Sequence, residues 1–258
     1  MSDQVAVVPT SALGDSANRA RGRNKYFLGV ALVLLAIVVT GFGPTLFARP
    51  FFDVPPIPWY LFVHGFVLAS WFLLLVAQTA LVAAHRTDLH RRLGILGGFV
   101  AVALVGMSLV AVLAFPAHVK ANALTSNVGF DATVERTIVW TDLASLLIFS
   151  TFVGTALYWR RRTDVHKRLL LLASMAILGP AAARLLPLVS SGPGPLAAAI
   201  QISIFVGLPL SLVLHDLVAA RRVHRATIVG VTASFVATFG AIAIASSDIG
   251  AALVTALE

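Results

Sequence analysis

The stretch HGFVLASWFLLLVAQTALVAAHRTDLHRRLG, residues 64–94, decides the fold of this chain. Twenty consecutive residues between His64 and His85 carry no charge, and about 20 apolar residues in a helix cross a hydrocarbon core about 30 Å thick. The run is continuously apolar and does not alternate with polar residues, which favours a helix over a strand of a membrane barrel. The stretch therefore predicts a membrane-spanning helix that ends at a basic, water-facing segment.

The rest of the chain has the same character. Of its 258 residues 59% are hydrophobic and 12% are charged, and the mean hydropathy is +0.92, whereas soluble domains are about 45–50% apolar and about 25% charged. The sequence predicts an all-α integral membrane bundle of seven transmembrane helices within a transmembrane domain at 26–258. The predicted spans are 26–48, 59–83, 93–115, 137–159, 169–190, 196–219 and 226–246.

The polar parts of the chain limit the classes of partner. Segment 1–25 is rich in Ser, Ala and Arg and is predicted to be a disordered cytoplasmic segment. The net charge of +8 comes from short basic clusters between apolar runs. We therefore expect contact with the lipid bilayer and with anionic lipids at the cytoplasmic face, and no nucleic-acid binding. The absence of cysteine excludes disulfides and thiolate metal sites.

The distribution of Lys and Arg predicts the orientation, because cytoplasmic loops are enriched in these residues. Fifteen lie on one side of the predicted bundle, three (Arg49, Lys120 and Arg136) lie on the other, and Arg184 lies inside a span. The N-terminus is therefore predicted inside and the C-terminus outside. The fifteen are Arg19, Arg21, Arg23, Lys25, Arg86, Arg91, Arg92, Arg160, Arg161, Arg162, Lys167, Arg168, Arg221, Arg222 and Arg225.

Two of the basic loops carry nearly the same motif. RTDLHRRL occupies residues 86–93 and RTDVHKRL occupies residues 162–169, with six of eight positions identical. A shorter copy, RVHR, occupies residues 222–225. We predict that helices 2–3, helices 4–5 and, on fewer residues, helices 6–7 are repeated hairpins that share one orientation in the membrane.

Two interpretations of this motif stay open. In the structural one, the aspartates cap the following helix and the cations hold the loop at the cytoplasmic face. In the functional one, the histidines and the flanking arginines bind a phosphate, a lipid headgroup or a metal ion. The residues concerned are Asp88, His90 and Arg91 in the first copy and Asp164, His166 and Arg168 in the second.

Polar residues inside the predicted spans share one depth. His64, Asp142 and Arg184 lie about 7–9 Å below the outer boundary of their spans at a rise of 1.5 Å per residue, and Gln201 lies at the same level. An ionisable group there costs about 2.5–3.5 kcal/mol on insertion scales. We predict that these four residues form a ligand- or cofactor-binding site in the outer half of the bundle.

Structural alternatives apply to the same residues. Asp142 and Arg184 could form an ion pair between helices 4 and 5, or Arg184 could bind a carboxylate such as a haem propionate. His64 could be an interhelical hydrogen-bonding residue, an axial haem ligand, a metal ligand or a proton carrier. His118, predicted near His64 in depth, is the second candidate ligand for a metal ion.

His215 and Asp216 end the predicted sixth span at its inner boundary. Both are predicted to extend their polar atoms to the membrane interface, as amphipathic side chains near helix ends commonly do.

Two motifs carry a resemblance to a known group of proteins. His64-Gly65 begins one predicted span, and His90-Arg91-Arg92-Leu93-Gly94 begins the next. In this the chain resembles an uncharacterised family of bacterial multi-pass membrane proteins, over helices 2 to 5. The resemblance implies a bacterial plasma (inner) membrane location and no established activity. A looser similarity links the chain to small His-containing membrane proteins that help mature haem-copper oxidases.

These observations lead to three functional hypotheses. The first is binding of haem or a metal ion in electron transfer or respiratory-enzyme assembly. The second is transport of a small solute or proton along the same residues. The third is a structural scaffold subunit, which implies a membrane-protein partner. Whether the chain is an enzyme stays open, although it has no nucleophile elbow, no phosphate-binding loop and no dinucleotide fingerprint.

The predicted orientation can be measured with reporter fusions. Reporters inserted after Thr87, Thr163 and His224 should be active only in their cytoplasmic form, because these sites follow the basic clusters. A reporter at residue 258 should be active only in its external form. A cytoplasmic reporter signal at residue 258 would contradict a count of seven spans.

Overall fold

The computed structural model describes residues 10–52, 56–126, 131–189 and 194–258, and these residues form α-helices with no strand among them. Lipid offers no partner to a backbone N–H or C=O, so a chain in a membrane satisfies these groups within its helices. The helices are α1 Thr10–Phe42, α2 Trp59–Ala83, α3 Thr87–Ser126, α4 Ala132–Tyr158, α5 Thr163–Ala176, α6 Gly179–Val189, α7 Pro195–Ile202, α8 Leu208–Ala220, α9 Arg225–Ala245 and α10 Asp248–Thr255.

The helices identify a multi-pass membrane protein. Within the described ranges, six helical segments are long and apolar enough to cross a membrane, and α5 with α6 adds a seventh if this bent pair is one span. The outward faces carry large hydrophobic side chains, among them Leu73, Phe99 and Val229, which are 57%, 71% and 66% exposed. Such a continuous apolar surface matches contact with lipid and not with water.

Three of the predicted spans contain irregular segments that hydropathy does not reveal. The predicted span 169–190 is divided into α5 and α6, whose axes differ by 52°. Pro180 lies just after the break, and its ring excludes a helical hydrogen bond to Ala176. The predicted span 196–219 contains a π-helical turn at Ser203–Gly207, which ends two residues before Pro209. The predicted span 26–48 contains a π-helical turn at Gly43–Phe47, which includes Pro44. A proline therefore lies at each irregularity.

The first helix begins before the predicted span. Residues 1–9 lie outside the described residues, and α1 begins at Thr10, so it includes residues 10–25. This segment contains two glycines and two asparagines, which have low helix propensity, beside Ala and Arg, which have high propensity. A helix that is already formed in the membrane extends by one hydrogen bond per added residue, which costs little.

A short terminal helix, α10, was absent from the predicted elements. Its eight residues are too few for a span, so hydropathy gives no signal for it. Ser247 caps it by accepting a hydrogen bond from the Gly250 N–H at 3.1 Å. Trp140 Nε1 donates to the Gly250 carbonyl at 3.2 Å, and a Cβ on Gly250 would lie 1.9 Å from the Ile244 carbonyl oxygen. Glycine at this position allows α10 to fold back onto α4.

Helix α5 lies at the centre of the packing. It contacts α1, α4, α8 and α9, and its residues Leu171, Leu172 and Ala173 are at most 1% exposed. Helices α2 and α3 pack as one hairpin and α4 and α5 as another, whereas α9 packs mainly on α4 and only to a smaller extent on α8. The common origin of these hairpins stays a prediction from sequence.

Helices α1 and α6 approach closely at a small residue. A Cβ on Gly41 would lie 2.3 Å from the Ala181 carbonyl oxygen, which is closer than real Cβ atoms come. Small residues at such crossings let membrane helices pack backbone to backbone. Gly29, in the same helix, has no atom within 4 Å of the corresponding position.

Gly41→Leu should destabilise the bundle, because the new side chain would force α1 and α6 apart. Overpacking costs about 1–3 kcal/mol, so the thermal unfolding midpoint in detergent should fall clearly. Gly29→Leu is the matched control and should leave the midpoint near that of the wild type. Equal midpoints for the two variants would contradict close packing of α1 on α6.

Candidate functional site

The repeated motif brings its two histidines together. We call the end of the bundle that contains the turns at 84–86, 159–162 and 221–224 the basic end. We call the end away from these turns the opposite end. His90 is the fourth residue of α3 and His166 is the fourth residue of α5. Their ring centroids lie 6.4 Å apart, with the planes at 87° to each other. The two copies of the motif thus meet across different helices.

The ring nitrogens of this pair differ in their hydrogen bonding. His166 Nδ1 lies 2.8 Å from the Ala156 carbonyl oxygen. A carbonyl can only accept, so Nδ1 carries a proton, and in the neutral ring Nε2 keeps its lone pair. His90 Nδ1 is buried and has no hydrogen-bond partner among the described residues, and the Gln78 main chain lies near the same ring. Each imidazole therefore retains one uncommitted nitrogen.

A third polar group lies at the same level. The Gln78 Oε1 atom is buried without a hydrogen-bond partner in the described part of the chain, and Gln78 Nε2 lies 3.7 Å from the position of a Cβ on Gly94, in α3. A buried acceptor without a donor costs about 1–3 kcal/mol. Helices α2, α3 and α5 thus enclose more acceptor capacity than they satisfy.

Next to the histidines, Arg168 forms a buried ion pair with Asp216. The Arg168 Nε atom lies 3.2 Å from both carboxylate oxygens of Asp216, and Arg168 Nη2 donates to Oδ1. The two side chains are 6% and 0% exposed. Arg168 also donates to the Asp164 carbonyl at 2.9 Å. The bidentate geometry supplies the attraction that offsets removal of both charges from water.

Asp216 accepts further hydrogen bonds from the start of α9. Thr227 Oγ1 donates to Asp216 Oδ2 at 2.5 Å, and the His224 N–H donates to the same oxygen at 3.1 Å. The prediction that His215 and Asp216 extend their polar atoms to the membrane interface is wrong, because the Asp216 carboxylate is fully buried and both ring nitrogens of His215 are buried. One sequence signal could have revealed this burial: Asp216 is an acidic residue inside a predicted span, in a chain with several arginines near its span ends.

Partial burial and the neighbouring Arg168 guanidinium lower the pKa of His224 from its ordinary value. The ring is therefore neutral at neutral pH, and its Nδ1 accepts the Ala226 N–H at 3.1 Å as the cap of α9. His224 belongs to the short third copy of the motif and precedes α9, whereas His166 of the second copy lies within the first turns of α5. The local structures of the second and third copies therefore differ.

The motif aspartates do not cap their helices. Asp88 and Asp164 are the second residues of α3 and α5, and the residue before α5 is Arg162, without a side-chain cap. Both carboxylates lie in the first turn, where they favour the positive end of the helix dipole. Asp88 lies 3.7 Å from Arg86, and Asp164 lies 3.2 Å from Lys167.

Corresponding arginines in the two copies have different environments. Arg92 aligns with Arg168, and Arg91 aligns with Lys167. Both Arg91 and Arg92 are exposed, whereas Arg168 is buried. A cleft of about 130 Å³ is lined by Asp164, Arg168, Ala219, Ala220, Arg222 and His224. Arg168 already forms ion pairs with the carboxylates of Asp216 and Asp164. This cleft is therefore a poor phosphate site.

At the opposite end, Arg184 is the common neighbour of the predicted polar layer. Its guanidinium lies 4.9 Å from the Phe42 ring centroid, and its Nη1 donates to the Pro180 carbonyl at 3.1 Å. It acts electrostatically on both His64 and Asp142. The structure thus brings these three residues into one region, as their depth in the sequence predicts.

The predicted ion pair itself does not form. Among the described residues, no carboxylate lies within ion-pair distance of Arg184. An Asp142 carboxylate oxygen lies 3.7 Å from the position of a Cβ on Gly179, at the start of α6. His64 Nδ1 lies 3.5 Å from Ser108 Oγ, in α3. Asp142 and Arg184 are therefore neighbours without direct contact.

Two predicted site residues lie apart from this cluster. Gln201 is exposed on α7 and has no hydrogen-bond partner among the described residues. His118 lies ten residues beyond Ser108 in the same helix, which is about 15 Å of axial rise. The structure does not bring it to His64, because α3 extends well past the predicted span end at 115. No group of three or more His, Asp or Glu suited to a metal ion occurs in the described ranges.

The buried pair generates a stability prediction. Arg168→Ala or Asp216→Ala should each cost about 3–5 kcal/mol, because each leaves one buried charge unpaired. Arg168→Met combined with Asp216→Leu should cost clearly less than the sum of the single changes. Arg92→Ala, at the exposed equivalent position, is the control and should leave the free energy of unfolding nearly unchanged. Additive losses in denaturant titrations would contradict the pairing.

Comparison with models of known protein families, with curated proteins and with solved structures finds no match to this chain.

Proposed function

We propose that this multi-pass membrane protein binds a metal centre, with haem iron as the first candidate, between His90 and His166. The proposed location is the basic end of the bundle, which we expect to face the cytoplasm of a bacterial plasma membrane. The observation that carries the proposal is the meeting of two histidines from different helices, with ring centroids 6.4 Å apart.

The distance suits two ligands on opposite sides of one metal ion. With a metal–nitrogen distance of about 2.0–2.1 Å, the ring centroids of two opposed imidazole ligands lie about 6 Å apart. Two ligands of a tetrahedral ion would lie closer, at about 5 Å. At this separation His90 and His166 would hold one metal ion, such as haem iron, between their two rings more readily than they would serve as two ligands of a tetrahedral zinc ion.

The hydrogen bonds support the same assignment. Metal-binding histidines commonly donate their other N–H to a carbonyl, which fixes the ring and its tautomer. The Ala156 carbonyl does this for His166, and the Gln78 main chain lies near the His90 ring. The buried Nδ1 of His90 without a partner is then the nitrogen that a metal would satisfy.

The basic end also offers groups for an acidic cofactor. Arg91 and Arg92 are exposed one and two residues after His90, and the guanidinium fork matches a carboxylate such as a haem propionate. A bound haem would supply one-electron chemistry, in electron transfer or in assembly of a respiratory enzyme. His90, His166 and the arginines would hold and orient it.

The surroundings of His64 make it a weaker candidate for the cofactor site than the pair of His90 and His166. The candidate partner His118 lies about 15 Å further along α3 than Ser108, the residue that His64 contacts. The scaffold alternative would instead leave both histidine sites without a cofactor.

His90→Ala and His166→Ala should each remove a haem absorption band or bound metal from the purified protein, because each removes one of two ligands. The protein is produced with added haem precursor, purified in detergent, and measured by visible absorption and metal analysis. His64→Ala and His118→Ala should retain the cofactor, and His85→Asn is a control at an exposed basic-end position.

Thermal unfolding of every variant separates loss of cofactor from loss of fold. Wild-type protein that is colourless and free of metal would overturn the proposal and favour the scaffold. Loss of the cofactor in His64→Ala, with retention in His90→Ala, would instead indicate a cofactor site at His64, at the opposite end.

A further inference from the structure

A broken helix and two unpaired charges coincide at the opposite end. Helix α5 ends at Ala176 and α6 begins at Gly179, with a bend of 52° between them. The Asp142 carboxylate lies against Gly179, within van der Waals distance of a Cβ placed there. Interrupted helices in membrane proteins commonly mark solute sites, because their free backbone ends and side chains line a cavity.

Arg184 has unused hydrogen-bonding capacity. A guanidinium has five N–H donors in a planar fork, and among the described residues only the Pro180 carbonyl accepts one of them. The guanidinium carbon of Arg184 lies 4.9 Å from the centroid of the Phe42 ring. Arg184 is also exposed at the bundle surface. A charged group inside a membrane span is costly, so an anionic partner beside Arg184 would be strongly stabilising.

Asp142 has the complementary need. No described residue donates a hydrogen bond to its carboxylate, and Arg184 acts on it only through space. Asp142 and Arg184 therefore lie near each other with their hydrogen-bonding edges unused. A molecule that fits between them must offer an acceptor to the fork and a donor to the carboxylate. His64 and Ser108, which contact each other at 3.5 Å, lie in the same region.

We propose that Arg184 and Asp142 together bind a small carboxylic acid that carries a hydroxyl or ammonium group next to its carboxylate. The ligand carboxylate accepts two N–H bonds from the Arg184 fork. Its hydroxyl or ammonium group donates to the Asp142 carboxylate at the start of α6. This site is separate from the histidine pair at the basic end, and it stands whether or not that pair binds a metal.

Three ligands with the same three-carbon skeleton test the two halves of the site. Lactate and alanine each carry the carboxylate and a neighbouring donor, whereas propionate carries the carboxylate alone. Binding is measured with the full chain in detergent, by isothermal titration and by the ligand-induced rise in the thermal unfolding midpoint. Lactate or alanine should bind at least about tenfold more tightly than propionate, because a hydrogen bond to a charged group contributes that much.

Substitutions test which residue binds the ligand carboxylate and which residue binds the neighbouring donor group. Arg184→Gln should abolish binding of the preferred ligand, and Arg184→Lys should weaken it about tenfold, since a lysine keeps the charge but loses the fork. Asp142→Asn should reduce the preference over propionate to near equality. Arg136→Gln is the matched control, because Arg136 donates to the carbonyl of its own helix at 2.9 Å, and it should bind like the wild type.

Equal affinity for the three ligands, or binding that survives Arg184→Gln, would overturn the proposal. Stabilisation by phosphatidylglycerol in lipid nanodiscs, with no response to lactate or alanine, would show that Arg184 holds a lipid phosphate instead. If Arg184→Gln fails to fold, the affinities of Arg184→Lys and Asp142→Asn decide the outcome.

Discussion

One buried carboxylate determines how the basic end is assembled. Asp216 is fully buried in α8 and accepts hydrogen bonds from Arg168 of α5, from Thr227 of α9 and from the His224 main chain. An unpaired carboxylate in this environment would be very costly, so these helices meet only in an arrangement that satisfies all its oxygens. Because α5 contacts four other helices, fixing α5 also fixes His166, two residues before Arg168.

The membrane spans could be predicted from sequence because lipid imposes a length and a composition on each helix separately. Residues 59–83 were predicted as a span, and α2 occupies the same residues. The Arg168–Asp216 contact could not be predicted in this way, because it joins side chains 48 positions apart. The break before Pro180 and the terminal helix α10 depend on local backbone chemistry that a hydropathy average conceals.

The candidate site was partly predictable for the same reason. Depth along each helix follows from residue counting, so His64, Asp142 and Arg184 were expected in one layer. Rotation about each helix axis does not follow from counting, and it decides whether two charges touch. The repeated motif shows the limit clearly, since Arg92 and Arg168 occupy equivalent positions but only Arg168 is buried against an acid. Sequence similarity between two loops does not imply equal environments.

The two polar regions differ in how their charged groups are paired. At the basic end Arg168 and Asp216 satisfy each other, whereas at the opposite end Arg184 and Asp142 do not. Between the two levels, Trp71 donates to Ser174 Oγ at 3.0 Å and packs edge-on against Phe149. This layer is buried and internally satisfied. A solute bound near Arg184 could therefore cross only if the bundle opened at Trp71, whereas binding at one end and metal chemistry at the other require no such opening.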